Sequence, residues 1–322
     1  MKFLNTTAII AFAGAGLMAQ APAQSYADQF QAIQPELDKL IASMDYKEVI
    51  EKIGAILPSA TPAFTKDPQN PGVGMNSYQE LVSIQSFHVY LGRAYVMLGD
   101  TEKAISNFNK AEEIANTNAV EIEDVLTPLI AQWSAAADNS KQQLEQRDEV
   151  IKLKEQFEGV KKEIEAKRRQ NNDDKQRLAK IAENELKLQE YFNNVPVWEA
   201  NLERAPAMVE QLNGFISVSK EDTTKFSPVI KGLEEDLQAE KDLIESKFGG
   251  DKARYVTSVV ETKENLDNLQ SQADKVKFLN RLLFLDTKNA AAQKQLDILL
   301  GKAAPEPEPA PTPAPRRPPT RR

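Results

Sequence analysis

Along most of the chain, apolar residues recur every three or four positions, the spacing of one helix face. Phe30, Ile33, Leu37, Leu40 and Ile41 form the first such stripe, and Val49, Ile50, Ile53, Ile56 and Leu57 the second, with a Met44-Asp45 turn between them. Proline suits a first helical turn, so Pro35 is a candidate start for the first helix, and Pro58 ends the second. Residues 58–77 carry Pro58, Pro62, Pro68, Pro71, Gly72 and Gly74 and predict a long loop, either a functional segment or a tolerated insertion. Helices are predicted again from Tyr78 to about Leu98 and, after a tight Gly99-Asp100 turn, from Thr101 to about Ala115. Another is expected over Glu121–Ala137, with Val125, Leu126, Leu129, Ile130 and Trp133 on its apolar face and Pro128 kinking it or marking its start.

From Ser140 to Phe192 the composition shifts to Lys, Glu, Gln and Arg. Val150, Leu153, Phe157, Val160 and Ile164 step by three and four, the seam of a coiled coil. The phase continues through Lys167, Asn171 and Asp174 to Leu178, Ile181, Glu185, Leu188 and Phe192, across the polar run KRRQNNDDK. One long helix explains the kept phase. An antiparallel hairpin turning at Asn171-Asn172-Asp173 explains the gap and is preferred, because a lone seam needs a partner. Pro196 is expected to end the long helix near Asn193 and to open another running to about Phe215, bent or split at Pro206. Ser219 or Thr223 then offers an N-cap for a helix carrying Val229, Ile230, Leu233, Leu237 and Leu243, which Gly249-Gly250 stops. Helices over about Asp251–Asn268, Gln272–Leu285 and Ala290–Leu300 complete an all-α fold.

The 13 glycines among 322 residues agree with a helical chain. The net charge of −8 argues against generalised nucleic-acid binding, which needs a basic face. With no cysteine, disulfides, thiolate zinc sites, iron–sulfur clusters and a cysteine nucleophile are all excluded. His88 is the one histidine, so a multi-histidine metal site within one chain is excluded as well. A carboxylate-only site would be compatible with the 48 acidic residues, but no motif points to one, and neither a catalytic site nor a cofactor is expected.

The two ends add expectations about location. MKFLNTTAIIAFAGAGLMAQAPAQ has Lys2, an apolar stretch from about Ala8 to Met18 and two overlapping A-x-A sites, the layout of a secretory signal peptide cleaved after Ala23 or after Ala21. The apolar stretch is about half of the ~20 residues that a membrane-spanning helix needs. An exported protein of the periplasm or the extracellular space is expected. Residues 303–322 hold eight of the 18 prolines and read as a disordered, polyproline-like tail. Its Arg316, Arg317, Arg321 and Arg322 are candidates for polyanion contact or for peripheral contact with an anionic envelope surface, and equally for a solubilising linker end. The domain plan is therefore a signal peptide over 1–23, a helical domain over 24–137 containing the loop, a helical and coiled-coil region over 138–302, and the tail.

Residues 88–111 read HVYLGRAYVMLGDTEKAISNFNKA. Gly99 is followed by Asp-Thr-Glu-Lys, so the run fails as a phosphate-binding loop. It fits L-G-x2-Y followed by A-x3-F, and residues 85–115 thus resemble one tetratricopeptide repeat, with His88 in the tryptophan position and Asn116 where proline is usual. Leu91, Gly92, Tyr95, Ala104, Phe108 and Ala111 match the family's packing positions. Asp45, Val49, Ile53 and Ile56 repeat Asp100, Ala104, Phe108 and Ala111 at an offset of 55, a second copy over about 26–57. LLFLDTKNAAAQKQLDILL resembles the end of a repeat only loosely. The resemblance implies a non-enzymatic scaffold or adaptor that binds other proteins along a concave face, with Gln85, His88 and Arg93 as candidate contact residues, although a lone histidine among apolar neighbours reads first as a packing residue. The alternative is a self-associating structural protein of the cell envelope, joined as a homo-oligomer through 150–192.

Overall fold

The computed structural model describes residues 25–302; the expected signal peptide and the tail with its four arginines lie outside the described residues. Regular structure among the described residues is entirely α-helical. Helices α1 (Tyr26–Ala42) and α2 (Tyr46–Gly54) form a first hairpin, and α3 (Pro71–Met97) and α4 (Thr101–Glu145) a second, longer one. Then follow α5 (Arg147–Glu165), α6 (Asn172–Asp222), α7 (Ser227–Phe248), α8 (Lys252–Glu261), the short α9 (Lys263–Asp267), α10 (Gln272–Leu285) and α11 (Ala290–Leu299).

Three hairpin turns are made the same way. Met44 (φ 62°), Gly99 (φ 81°) and Gly250 (φ 83°) take the left-handed conformation that stops a helix. The next residue, Asp45, Asp100 or Asp251, caps the following helix by accepting a hydrogen bond from the backbone N–H of Glu48, Lys103 or Arg254. The first two turns agree bond for bond at the offset of 55. The Asp45 N–H donates to the Leu40 carbonyl at 2.8 Å, as the Asp100 N–H does to the Tyr95 carbonyl at 2.9 Å. The left-handed conformation is strained for a methionine, and the Met44 side chain compensates by packing against both the α1–α2–α3 core and the C-terminal core.

The body is a stack of these hairpins. Phe30, Leu37, Val49 and Ile53 pack against Phe87, Tyr90, Leu91 and Ala94. On the other side of α3, Ala104, Phe108, Ala111 and Ala115 of α4 meet Phe226 and Ile230, so the chain returns after a long excursion to lay α7 on the second hairpin. Helices α8, α10 and α11 close a third core around Val256, Val276, Leu279, Leu282, Ala292 and Leu296.

The excursion is an antiparallel stalk. Its register is marked by Lys220–Glu123, Asn201–Ser140, Arg147–Glu199, Lys161–Glu185 and Lys167–Asp174, which place α4 and then α5 alongside α6 over its full length. At 51 residues α6 is about 75 Å long. The most buried positions of α6 recur every seven residues at Asp174, Ile181, Leu188 and Val195, and again at Ala205, Leu212 and Ser219. The step of ten between Val195 and Ala205 spans Pro196, and Pro206 follows directly. Between α5 and α6 the chain reverses through 166–171. Asn171 and Asp174 form a reciprocal capping box there, so the turn lies at the polar run and brings the two halves of the seam side by side.

Several helix boundaries differ from those the prolines and polar runs predict. Pro35, Pro128, Pro196 and Pro206 all lie inside helices. Each is on an exposed position, where the carbonyl that loses its donor one turn earlier can be hydrated. Helix α4 is continuous through the polar NTNAV run, because Asn118 and Ala119 are buried there. The expected boundary between 137 and 138 therefore falls inside α4. Pro71 begins α3 instead of belonging to the loop, with Asn70 as N-cap. Gly74 then lets α3 approach α4, since a Cβ there would lie 2.6 Å from the Val125 side chain. Ser219 is buried inside α6, Thr223 follows its last residue, and neither caps α7. Gly249 and Gly250 do terminate α7, both with positive φ.

Candidate interaction surfaces

The six packing positions come together between α3 and α4. Leu91, Ala104, Phe108 and Ala111 are buried, and Tyr95 packs at the edge. Gly92 faces the Phe108 ring so closely that a Cβ would lie 2.8 Å from its tip. The small residues of the run thus mark where two helices touch.

Of the three candidate contact residues of α3, two are buried and Arg93 is partly exposed. Gln85 and His88 are 7% and 4% exposed, and Arg93 is only half-buried. The cause is that α1, α2, α4 and α10 cover most of the circumference of α3, and the one stripe left partly open, Val82, Ser86, Val89 and Arg93, includes neither Gln85 nor His88. His88 Nδ1 lies 2.9 Å from Asn107 Oδ1 of α4. Burial lowers the pKa of the imidazole, the bond to Asn107 partly opposes this, and Lys110 lowers it further. The ring is therefore a neutral internal strut.

Two other arrangements, not foreseen from the motif, hold the body. At the turn side Arg281 of α10 forks onto Glu240 of α7 (Nε to Oε2 2.9 Å) and donates to the Gly99 carbonyl at 2.7 Å, while Asn280 donates to the Met97 carbonyl at 2.7 Å. A Cβ on Gly99 would meet the Arg281 backbone at 2.5 Å, so only glycine allows this approach. On the opposite end, the loop lies down as a strap. Phe64 packs into the clusters of Tyr78, Ile122 and Leu126 and of Leu81, Ile84 and Ile114. Lys66 Nζ sits 2.7 Å from Glu121 and 3.0 Å from Asp124, and the Thr65 N–H donates to Ser77 Oγ.

No group of three or more potential metal-ligating side chains occurs among the described residues. A cleft of about 190 Å³ lined by Val260, Leu266, Phe278 and Leu282 falls below the roughly 300–1,000 Å³ of pockets for small organic ligands. None of the described helices is long and apolar enough to cross a membrane.

The stalk is the other surface. Of its seam residues, Ile164, Ile181, Leu188 and Val195 are buried within the chain, Val150, Phe157, Val160 and Phe192 are half-buried, and Leu153 is exposed. Charge is segregated along it. Residues 116–160 hold four Lys/Arg against nine Asp/Glu, and 181–226 four against eight, yet 161–180 around the turn hold eight against four. Two of those eight, Lys161 and Lys167, pair with Glu185 and Asp174. Lys162, Arg168, Arg169, Lys175, Arg177 and Lys180 are exposed. Apolar periodicity does not reveal this basic tip, since KRRQNNDDK is only a polar gap in it; the local charge balance is the signal that finds it. No protein-family model matches the chain, and no curated protein or solved structure matches it.

Proposed function

We propose that the protein is a non-enzymatic interaction scaffold or adaptor, exported to the bacterial envelope, whose body is a tetratricopeptide-like array carrying an inserted helical stalk. The stalk carries this reading: beyond the cluster that ties Ile122 and Leu126 of α4 and Leu212 of α6 to Tyr78 of α3, two helical arms run out from the body, and the chain returns to it at α7. An element of that kind adds reach and surface. The repeat-like body is supported by the matching turns at Met44-Asp45 and Gly99-Asp100 and by the tight Gly92–Phe108 crossing. Export rests on the three-part pattern of the first 23 residues.

The partner surface is assigned to the stalk and the outer helices, because α3 leaves open only the narrow, half-buried stripe of Val82, Ser86, Val89 and Arg93. The test is photocrosslinking in intact cells of the host from exposed positions, Gln156 on the stalk and Val120 near its base. A scaffold yields a small, reproducible set of protein adducts at one site or both. Absence of any specific adduct from either position counts decisively against it. The second reading is a self-associating structural protein of the cell envelope; it draws on the exposed Leu153 and the half-buried Val150, Phe157 and Val160 of the seam, and a stable dimer lost on Leu153→Asp would favour it.

A further inference from the structure

We propose that the tip of the stalk docks end-on onto an anionic phospholipid surface. The observation is the juxtaposition of Arg168 and Arg169, in the reversal between α5 and α6, with Lys162, Lys175, Arg177 and Lys180 on the adjoining ends of the two helices. All six side chains are exposed, at the far end of a helix pair about 75 Å long.

Three features select a lipid surface over other anions. First, the shaft on both sides of the tip is acidic, as the counts above show. A nucleic acid or other long polyanion needs a basic groove or stripe to follow, and here it would run onto repelling charge within a few turns. A flat anionic surface approached end-on touches only the tip and leaves the shaft beyond the ~10 Å screening length of ordinary salt. Secondly, the apex spans only residues 166–171. A stable protein interface takes roughly 800 Å² from each partner, more than so small a convex surface offers, whereas a bilayer lets several headgroups gather around one cluster of cations. Thirdly, the nearest strongly exposed apolar side chains, Leu153 and Leu186, lie more than a helical turn back along the shaft. The contact is therefore at headgroup depth and electrostatic, with each basic residue near the surface contributing about fivefold in binding.

The tail arginines could bind the same surface, so the test removes them first. Full-length protein with Arg316, Arg317, Arg321 and Arg322 changed to Gln is floated with vesicles of phosphatidylcholine alone or mixed with phosphatidylglycerol. The proposal expects binding to the mixed vesicles only, abolished at high salt, reduced at least about twentyfold by Arg168→Glu with Arg169→Glu, and retained by Arg168→Lys with Arg169→Lys. Unchanged helicity by circular dichroism confirms that the charge-reversed variant is folded. Absence of binding to phosphatidylglycerol, equal binding by the charge-reversed variant, or tighter binding to duplex DNA than to vesicles overturns it. No protein partner enters this assay, so it can fail while the scaffold reading stands, and the reverse.

Discussion

At the scale of single residues, glycine has opposite meanings at different positions. Gly92 lies against the Phe108 ring, while Gly159 on the stalk has nothing near it. An added methyl at Gly92 must push a buried ring, which costs ~1–3 kcal/mol and outweighs the helix-propensity gain of about 1 kcal/mol. At Gly159 only the gain remains. Chemical denaturation should show Gly92→Ala destabilising by ~1 kcal/mol and Gly159→Ala stabilising by ~0.5–1 kcal/mol; equal signs would refute the close crossing. His88 gives a pH signature. Its folded pKa is lowered below 6.5, mainly by burial. As pH falls through that value the unfolded chain takes up a proton that the folded chain refuses. Stability is therefore complete above this range and declines below it. Melting temperature against pH should fall on the acid side in the native protein and less steeply in His88→Gln. The packing roles of Leu91, Gly92 and Phe108 were legible from the repeat pattern that residues 85–115 resemble. The burial of Gln85 and His88 was not, because it depends on how many helices surround α3, and periodicity on α3 itself says nothing of that.

At the scale of elements, the apolar stripes located most of the helices, and the Gly99-Asp100 and Gly249-Gly250 turns lie where glycine and the capping Asp placed them. Pro35 and Pro196 misled as helix boundaries, whereas Pro128 and Pro206 lie inside helices, a place their expected kinks allow. Pro35, Pro128, Pro196 and Pro206 each sit on a solvent-facing position, so a missing N–H costs less than breaking a helix whose other face is buried. That balance cannot be read before the buried face is known. The clasp of α10 on the Gly99 turn was equally hidden, being made by residues more than 180 apart in sequence. Arg281 and Glu240 are about one-sixth exposed, so the fork is shielded but not dry. Arg281→Met should cost ~2–3 kcal/mol, the scale of hydrogen bonds to a charged group in a half-screened place. A double-mutant cycle with Glu240→Gln should return a coupling of about 1 kcal/mol or more; simple additivity would show that the fork is not what holds α10.

At the scale of the molecule, two units have separate sources of stability. The body holds together by converging cores, and the stalk by a single seam. Ile181→Asp places a charge in that seam and should open the stalk to proteolysis between α5 and α6, leaving the thermal transition of the body within a few degrees of native; loss of both together would mean that the stalk is structurally part of the body. The central claim is that the stalk folds back on itself within one chain and so presents its basic turn outward. The chain has no cysteine, which permits spin labels at Glu155→Cys and Glu190→Cys, both exposed positions on facing arms. The hairpin predicts a short label separation, of the order of the ~10 Å between packed helices plus the label arms, unchanged when labelled protein is diluted with unlabelled. A separation near 50 Å, as in one unbroken helix of that span, or a short distance that disappears on dilution, would contradict it.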